Sequence, residues 1–305
     1  MQPVLSIIVP CKNEESSVLE FYAEANKFVP AESEFVFIDD GSTDNTAEIL
    51  KNLSKNDNRV RYIILSKNFG KEAAMLAGLS KAKGDFLVIM DVDLQDPPDL
   101  IPQMLQITQS GEADCVATRR VSRKGEPIIR SFFARIFYKV MRRISDINIV
   151  DGARDFRLMS RKYANSILLL GERNRFSKGI FPWIGFKTKW FEYENTKRVA
   201  GESKWSFGKL LLYSLDGILA FSAKPLAVAS IIGILMFLAS CLSILFVIVR
   251  KIMYGDPVSG WASTICIILF CSGIQLLTIG ILGQYLAKTY TEVKARPHFI
   301  ISEEI

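Results

Sequence analysis

Histidine is almost absent. His298 is the only one in 305 residues, which excludes a His-bearing nucleophile triad or a multi-histidine metal site. Cysteine is scarce as well. Cys11 and Cys115 stand far apart in the first half, Cys241, Cys266 and Cys271 fall within apolar runs, and no C-x-x-C occurs. A disulfide-stapled secreted scaffold is thereby excluded, and all five read as reduced, structural thiols. No basic n-region or small-residue cleavage site precedes the apolar run Val4 to Val9, so export is not indicated. Neither G-x-x-x-x-G-K-[ST] nor G-x-G-x-x-G is present, so no P-loop or dinucleotide fingerprint is available. Carboxylates are left to carry acid–base or metal chemistry.

Apolar residues are in excess, at 49% with a mean hydropathy of +0.20, more than a wholly soluble domain needs. The excess has a location. Leu226 to Val249 runs twenty-four residues without a charge, and Trp261 to Ala287 twenty-seven; a helix needs about 20 to cross roughly 30 Å of hydrocarbon. Two transmembrane helices are predicted within 225–287, at about 226–249 and 262–287. Joined by Arg250 to Gly260, they return the chain to its starting side. Lys209, Lys224, Lys288, Lys294 and Arg296 flank that side against Arg250 and Lys251 in the turn. The positive-inside rule then places the globular half and the tail 288–305 in the cytoplasm, the chain being a multi-pass protein of the inner membrane.

The net charge of +6 is uneven, because Arg119 to Arg143 holds nine Lys or Arg against Glu126 alone. Such a block suits an anionic membrane surface or a phosphorylated substrate; nucleic acid is not expected, since no stacking motif or recognition fold accompanies it. Apolar residues recur at helical spacing through about 127–145, with the basic residues between them. This is either a core-facing helix with a solvated face or a basic amphipathic helix on the membrane interface. A second amphipathic segment, 207–224, leads into the first span.

From Val4 to Ala117 short apolar runs alternate with amphipathic stretches. Val4–Val9, Phe35–Ile38, Val60–Leu65, Asp85–Met90 and Ala113–Ala117 read as strands, in the βαβα rhythm of a mostly parallel α/β sheet. Ser42-Thr43-Asp44 and Asp96-Pro97-Pro98 mark helix starts. Ligands of open α/β sheets bind beyond the carboxyl ends of strands, and here those ends are polar: Pro10 to Glu15, Asp39 to Ser42, Asn68 to Lys71, and Asp91 to Gln95. Read alone, Asp39-Asp40-Gly41-Ser42 is a turn and a helix cap. Four such ends together point to a site. Asp91 and Asp93, two apart at a strand terminus, are expected on one side and offer oxygen ligands to one hard divalent ion, Mg2+ or Mn2+. An ion of that kind keeps few protein ligands and shares a substrate's phosphates, which suggests a nucleotide diphosphate.

The motifs V-P-x-x-N-E-E, D-D-G-S-x-D-x-T, N-x-G-K-x-x-A, D-x-D-x-Q-D-P-P, D-F-R-L-M and R-x-x-G-x-S-K-W occur in this order, before the two spans and Glu292-Val293-Lys294-Ala295-Arg296-Pro297. As a set they resemble the inverting family 2 glycosyltransferases of GT-A fold, in the polyprenyl-phosphate branch. The likeness is greatest to bactoprenol (undecaprenyl-phosphate) glucosyltransferases and more distant to dolichol-phosphate mannose synthase. It implies a catalytic domain over 1–206, and a nucleotide site lined by Pro10, Glu14, Asp39, Asp40, Lys71 and Asp91. It further implies a metal held by Asp91, Asp93 and Gln95, and Asp155 as the catalytic aspartate. Arg119, Arg130, Ser131, Arg198 and Lys204 would contact phosphates of the donor or the lipid. Ala153-Arg154 departs from the pattern, since relatives often carry a small residue and then glycine there.

The activity so implied is inverting transfer of a sugar, glucose first, from a UDP-sugar such as UDP-glucose to undecaprenyl (polyprenyl) phosphate at the cytoplasmic membrane face. The product would serve modification of a cell-envelope polysaccharide. Alternatives are an N-acetylhexosamine, an aminoarabinose derivative, or GDP-mannose as donor. A processive synthase is disfavoured because Q-x-x-R-W is missing. A non-enzymatic membrane scaffold predicts no coherence between strand ends and carboxylates. Exposed helical faces near a membrane leave room for a homo-oligomer.

Overall fold

The computed structural model describes residues 2–120, 150–193, 222–254 and 260–305. The first strand, β1 (Leu5–Cys11), is apolar on both faces, with Leu5, Ile7, Ile8, Val9 and Cys11 buried. Such a run belongs in the middle of a parallel sheet covered on both sides. It pairs in parallel with β2 (Ser33–Asp39) on one flank and with β4 (Phe86–Ile89) on the other, while β3 (Val60–Leu65) continues beyond β2. Helices α1 (Val18–Ala25), α2 (Thr46–Asn56) and α3 (Lys71–Lys81) make the crossovers. In α3 every residue from Ala73 to Leu79 is buried. A Cβ on Gly78 would stand 2.4 Å from Ile8 Cγ2 and 2.7 Å from Ile38 Cδ1, so a glycine is what lets this helix approach the sheet.

The eight-stranded sheet has the order β7-β5-β6-β4-β1-β2-β3-β8. After β4, a 3-10 turn (Pro98–Leu100) and α4 (Ile101–Gln109) lead to β5 (Cys115–Arg120). Then β6 (Ala153–Ser160) inserts antiparallel between β4 and β5, and β7 (Thr188–Tyr193) runs parallel to β5. Helices α5 (Arg161–Leu168) and α6 (Ser177–Trp183) join β6 to β7. The antiparallel sense of β6 brings its first residues to the carboxyl ends of the parallel strands. With Arg157 opposite Ile89 and Ser160 opposite Phe86, the beginning of β6, and Asp155 with it, lies at the edge where β1 to β4 end.

Two apolar helices come next in the chain, α7 (Lys224–Tyr254) and α8 (Trp261–Lys294). Their stretches Lys224–Arg250 and Ile267–Lys294 reach mean hydropathies of 2.9 and 1.8 over 18-residue windows and are long and apolar enough to cross a membrane. The Tyr285 hydroxyl donates to the Ser222 carbonyl at 2.6 Å. The second helix stops where Ala295 takes a left-handed conformation (φ 48°), two residues before Pro297. The tail then forms β8 (Ile301–Glu304), antiparallel to β3. The chain divides into two compact units, Met1–Gly217 with Arg296–Ile305, and Ile218–Ala295.

Against the sequence reading, the four parallel strands stand close to their expected places, and β5 is shifted to Cys115–Arg120. Strands β6, β7 and β8 were not foreseen. Three charged residues, Arg154, Asp155 and Arg157, interrupt any alternation in β6, and β8 is only four residues long. Strand β4 ends at Ile89, one residue short of the expected Met90, and Asp91 and Asp93 sit in the turn beyond it, at the strand's end as expected. The alternation persists there: Val92 is buried between two half-buried aspartates. The amphipathic segments at 127–145 and 207–221 lie outside the described residues.

Candidate functional site

The loops after β1 and β2 are stitched together. Asn13 N–H donates to Ser42 Oγ at 2.8 Å, Thr43 N–H to Asn13 Oδ1 at 2.8 Å, Glu14 N–H to Thr46 Oγ1 at 2.9 Å and Asn45 N–H to Glu15 Oε2 at 3.0 Å. Asp39 and Asp40 lie beneath this seam, 1% and 4% exposed. Asp39 accepts from the Ser42 amide and hydroxyl. Asp40 takes the amides of Phe69 and Gly70 at 2.7 and 2.9 Å, one on each oxygen. Burial pushes both carboxyls above the usual aspartate range, against the pull of those hydrogen bonds. Gly41, at φ +63°, lies so near this second loop that a Cβ would be 2.5 Å from the Lys67 carbonyl carbon. Pro10 is paired opposite Ile38 beside the seam. Asp40 thus fastens the loop that delivers Lys71.

Lys71 is the first residue of α3, and its ammonium bridges two carboxylates that are distant in sequence. Nζ lies 2.6 Å from Asp91 Oδ1 and 2.5 Å from Asp155 Oδ2. Burial raises Asp155, but Lys71, then Lys178 and Arg157, outweigh it and hold the carboxyl well below the usual range. Burial opposes the charge on Lys71 too, and the two aspartates reverse that, so the ammonium is held above its ordinary pKa. Asp93 Oδ1 accepts the Gln95 amide at 3.2 Å, and Arg120 Nη2 donates to Gln95 Oε1 at 2.9 Å.

A second layer carries charges that sequence reasoning missed. Asp96, fully buried, accepts Arg154 Nε at 2.9 Å and the Tyr193 hydroxyl on one oxygen. Its other oxygen and Arg154 Nη2 are buried without hydrogen-bond partners. Burial raises the Asp96 carboxyl against the pull of Arg154. Glu72 accepts the Ser177 amide at 3.0 Å and the Ser177 hydroxyl. Burial and the charge of Asp155 raise its pKa. Arg157, 2% exposed, stacks 3.4 Å over the Phe181 ring and donates to the Arg154 carbonyl at 2.8 Å. Glu72 directly follows a motif lysine, which was the only signal for it.

Of the residues expected on phosphates, Arg119 is paired with Glu192 at the surface, Nε to Oε1 at 3.0 Å. Arg130, Ser131, Arg198 and Lys204 lie outside the described residues. Among the described residues no three His, Cys, Asp or Glu side chains gather into a metal cage. Asp91 and Asp93 are half-buried, all-oxygen donors flanking the buried Val92, a set that fits a hard divalent ion completed by a ligand's phosphate oxygens.

Comparison with known proteins gives concordant matches. The glycosyl transferase family 2 model matches residues 6–168. The putative glycosyltransferase CsbB of Bacillus subtilis is 40% identical, over 99% of this chain and 92% of its own. The SfII prophage-derived bactoprenol glucosyl transferase of Shigella flexneri is 42% identical, over 98% and 97%. The crystal structure of glucosyl-3-phosphoglycerate synthase from Mycobacterium tuberculosis superposes with a TM-score of 0.49 at 20% identity, covering 72% of this chain and 78% of its own.

Proposed function

The chain belongs to glycosyl transferase family 2, and we propose that it moves a sugar, glucose first, from a UDP-sugar to polyprenyl (undecaprenyl) phosphate with inversion. The observation that carries this reading is the bridge of Lys71 between Asp91 and Asp155, two carboxylates at one sheet edge that the reading assigns to the diphosphate and to the acceptor. The choice of acceptor draws on the 42% identity to a bactoprenol glucosyl transferase over nearly the whole length. The two apolar helices fit a lipid substrate. Along the chain they fall between β7 and β8 of one sheet, so if both cross a membrane the tail and the catalytic domain share a side, the cytoplasmic one by charge.

In this reaction an oxygen of the acceptor phosphate attacks the anomeric carbon from the face opposite the UDP. The bond from that carbon to the β-phosphate oxygen breaks, and UDP leaves with the electron pair. Asp91 and Asp93 would hold Mg2+ or Mn2+, which when bound neutralises charge on the leaving diphosphate. Pro10, Glu14, Asp39 and Asp40 shape the nucleotide end of the site, Asp40 through its hold on Phe69 and Gly70. Lys71 supplies a fixed positive charge between the donor and Asp155. The acceptor phosphate, with a second pKa of about 6, is already largely ionised at neutral pH. Asp155, itself held ionised by Lys71, orients the acceptor and need not be a strong base.

The test is UDP release from a panel of UDP-sugars by the detergent-purified protein. It is run with and without undecaprenyl phosphate and Mg2+ or Mn2+, with Asp93→Ala as control. Turnover of one sugar that needs lipid phosphate and metal and is lost in the variant supports the reading. Absence of turnover with every donor would mean that the nucleotide or the acceptor is a different one, or that the carboxylates are structural on a membrane scaffold.

A further inference from the structure

Ser177 and Lys178 open α6, and their surroundings fix where that turn lies. Glu72 holds the amide and hydroxyl of Ser177, while its neighbour Lys71 holds Asp155. Two consecutive residues of α3 therefore grip Asp155 and the start of α6 together. Farther along α6, the Arg157 guanidinium stacks on Phe181 and is anchored by the carbonyls of Arg154 and Asp155. The helix is clamped at Ser177 and Phe181, with Lys178 between. Among the described residues, the charge of Lys178 joins that of Lys71 in holding the Asp155 carboxyl low.

The cations around Asp155 differ in what already engages them. Lys71 is shared by two carboxylates, Arg154 is paired with Asp96, Arg119 with Glu192, and Arg120 with Gln95, while Arg157 is taken up by carbonyls and a ring. Lys178 is half-buried and hydrogen-bonded to none of the described residues. The carboxylates of Asp91, Asp93 and Asp155 outnumber Lys71, and a divalent ion at most cancels that excess. Donor diphosphate and acceptor phosphate then each bring negative charge, the latter about −1.5 to −2, and among the described residues the engaged arginines do not offset it. An ammonium is a compact charge with three donors, suited to phosphate oxygens.

We propose that Lys178 binds the phosphate of the acceptor and holds its attacking oxygen beside Asp155. This rests on the reading of the acceptor as a polyprenyl phosphate. The test uses the full chain in detergent, comparing wild type with Lys178→Met and Lys178→Arg. KM for undecaprenyl phosphate and for the UDP-sugar are measured separately, together with UDP affinity, the pH profile and melting temperature. The expected result for Lys178→Met is a rise in KM for the lipid phosphate of about 10- to 100-fold, the scale of one charged hydrogen bond. KM for the UDP-sugar, UDP affinity and melting temperature stay put, and Lys178→Arg recovers most of the loss. A drop in UDP affinity with the lipid KM unchanged would make Lys178 a donor ligand and overturn the proposal. So would a shifted pH profile with both KM values unchanged, which would leave Lys178 acting on Asp155 alone. If wild type gives no turnover with undecaprenyl phosphate, the acceptor reading itself fails and the proposal falls with it; a normal lipid KM in Lys178→Met sinks the Lys178 assignment only.

Discussion

The ammonium of Lys71 stands 2.5 Å from the Asp155 carboxylate, and the same nitrogen is 2.6 Å from Asp91. One positive charge thus serves two negative ones at the edge where the parallel strands end. Lys71→Met removes it and leaves the carboxylates facing each other. Turnover is expected to fall by about 100-fold or more, the scale of losing one preorganised electrostatic contact. Mn2+ binding without nucleotide, read by EPR, is expected to tighten, because Asp91 no longer shares its charge with an ammonium. Weaker Mn2+ binding in the variant would show that Lys71 helps the metal and does not compete with it.

Asp155 also sets an expectation for pH. Its folded pKa lies below the roughly 3.9 of an unfolded aspartate, because Lys71 and Lys178 outweigh burial. A carboxyl shifted this way stabilises the fold above the unfolded value, and that contribution is lost as pH falls toward the folded one. Asp155 therefore stays ionised from about pH 5 to 8. An acidic limb in kcat/KM near pH 6 belongs to the acceptor phosphate, whose second pKa is about 6. Asp155→Asn should lower the plateau and leave the limb in place; a limb that moves would identify Asp155 as a base titrating in that range.

How far each element was legible in the sequence depended on the kind of signal it carries. Strands β1 to β4 are continuous apolar runs, so they were visible, and parallel pairing brings their polar ends to one edge without further information. Arg157 defeats the same reasoning. No periodicity rule foresees a guanidinium 2% exposed, because its burial is made tolerable by carbonyls and by the ring of Phe181, far along the chain. Asp96 was read as a helix-start signal beside two prolines; only the return of β6 and β7 reveals Arg154 and Tyr193 against it. The Arg154 that departs from the family pattern thus has a physical partner. The tail carried charges and a proline, and nothing in it marked an edge strand.

That edge strand yields a separate prediction. Ile300 O accepts the Ser66 amide at 2.9 Å, Ile305 N–H donates to Tyr62 O at 3.2 Å, and the Ser302 hydroxyl donates to Ile64 O at 3.0 Å. Glu303 adds bonds to Lys51 and Tyr62 at 2.8 Å each. Deleting residues 299–305 exposes the β3 edge and loses bonds worth about 1 kcal/mol net apiece. The melting temperature of the full-length protein in detergent should fall by about 5–10 °C. UDP affinity should weaken as well, since Ser66 immediately precedes the loop that Asp40 holds. Glu303→Ala alone should change little, because its ion pair is solvent-exposed and screened. An unchanged melting temperature on deletion would mean the strand adds nothing to the fold.

The buried pair of Asp96 and Arg154 predicts an asymmetry between its two halves. An arginine cannot shed its proton in a protein, whereas a buried carboxyl can take one up. Asp96→Asn leaves the guanidinium without its carboxylate and should cost about 3 kcal/mol, the lower end for breaking a buried pair, since Arg154 is 20% exposed. Arg154→Met should cost less, because Asp96, already raised by burial, becomes neutral. A carboxyl whose folded pKa is raised stabilises most at pH below its unfolded value and loses that as pH rises through the folded one. Urea unfolding should therefore find Arg154→Met nearer to wild type at about pH 5 than at about pH 8, while Asp96→Asn is equally impaired at both. The double variant should be milder than Asp96→Asn alone. Equal losses for both single variants at both pH values would show that Asp96 stays charged without Arg154, held by Tyr193.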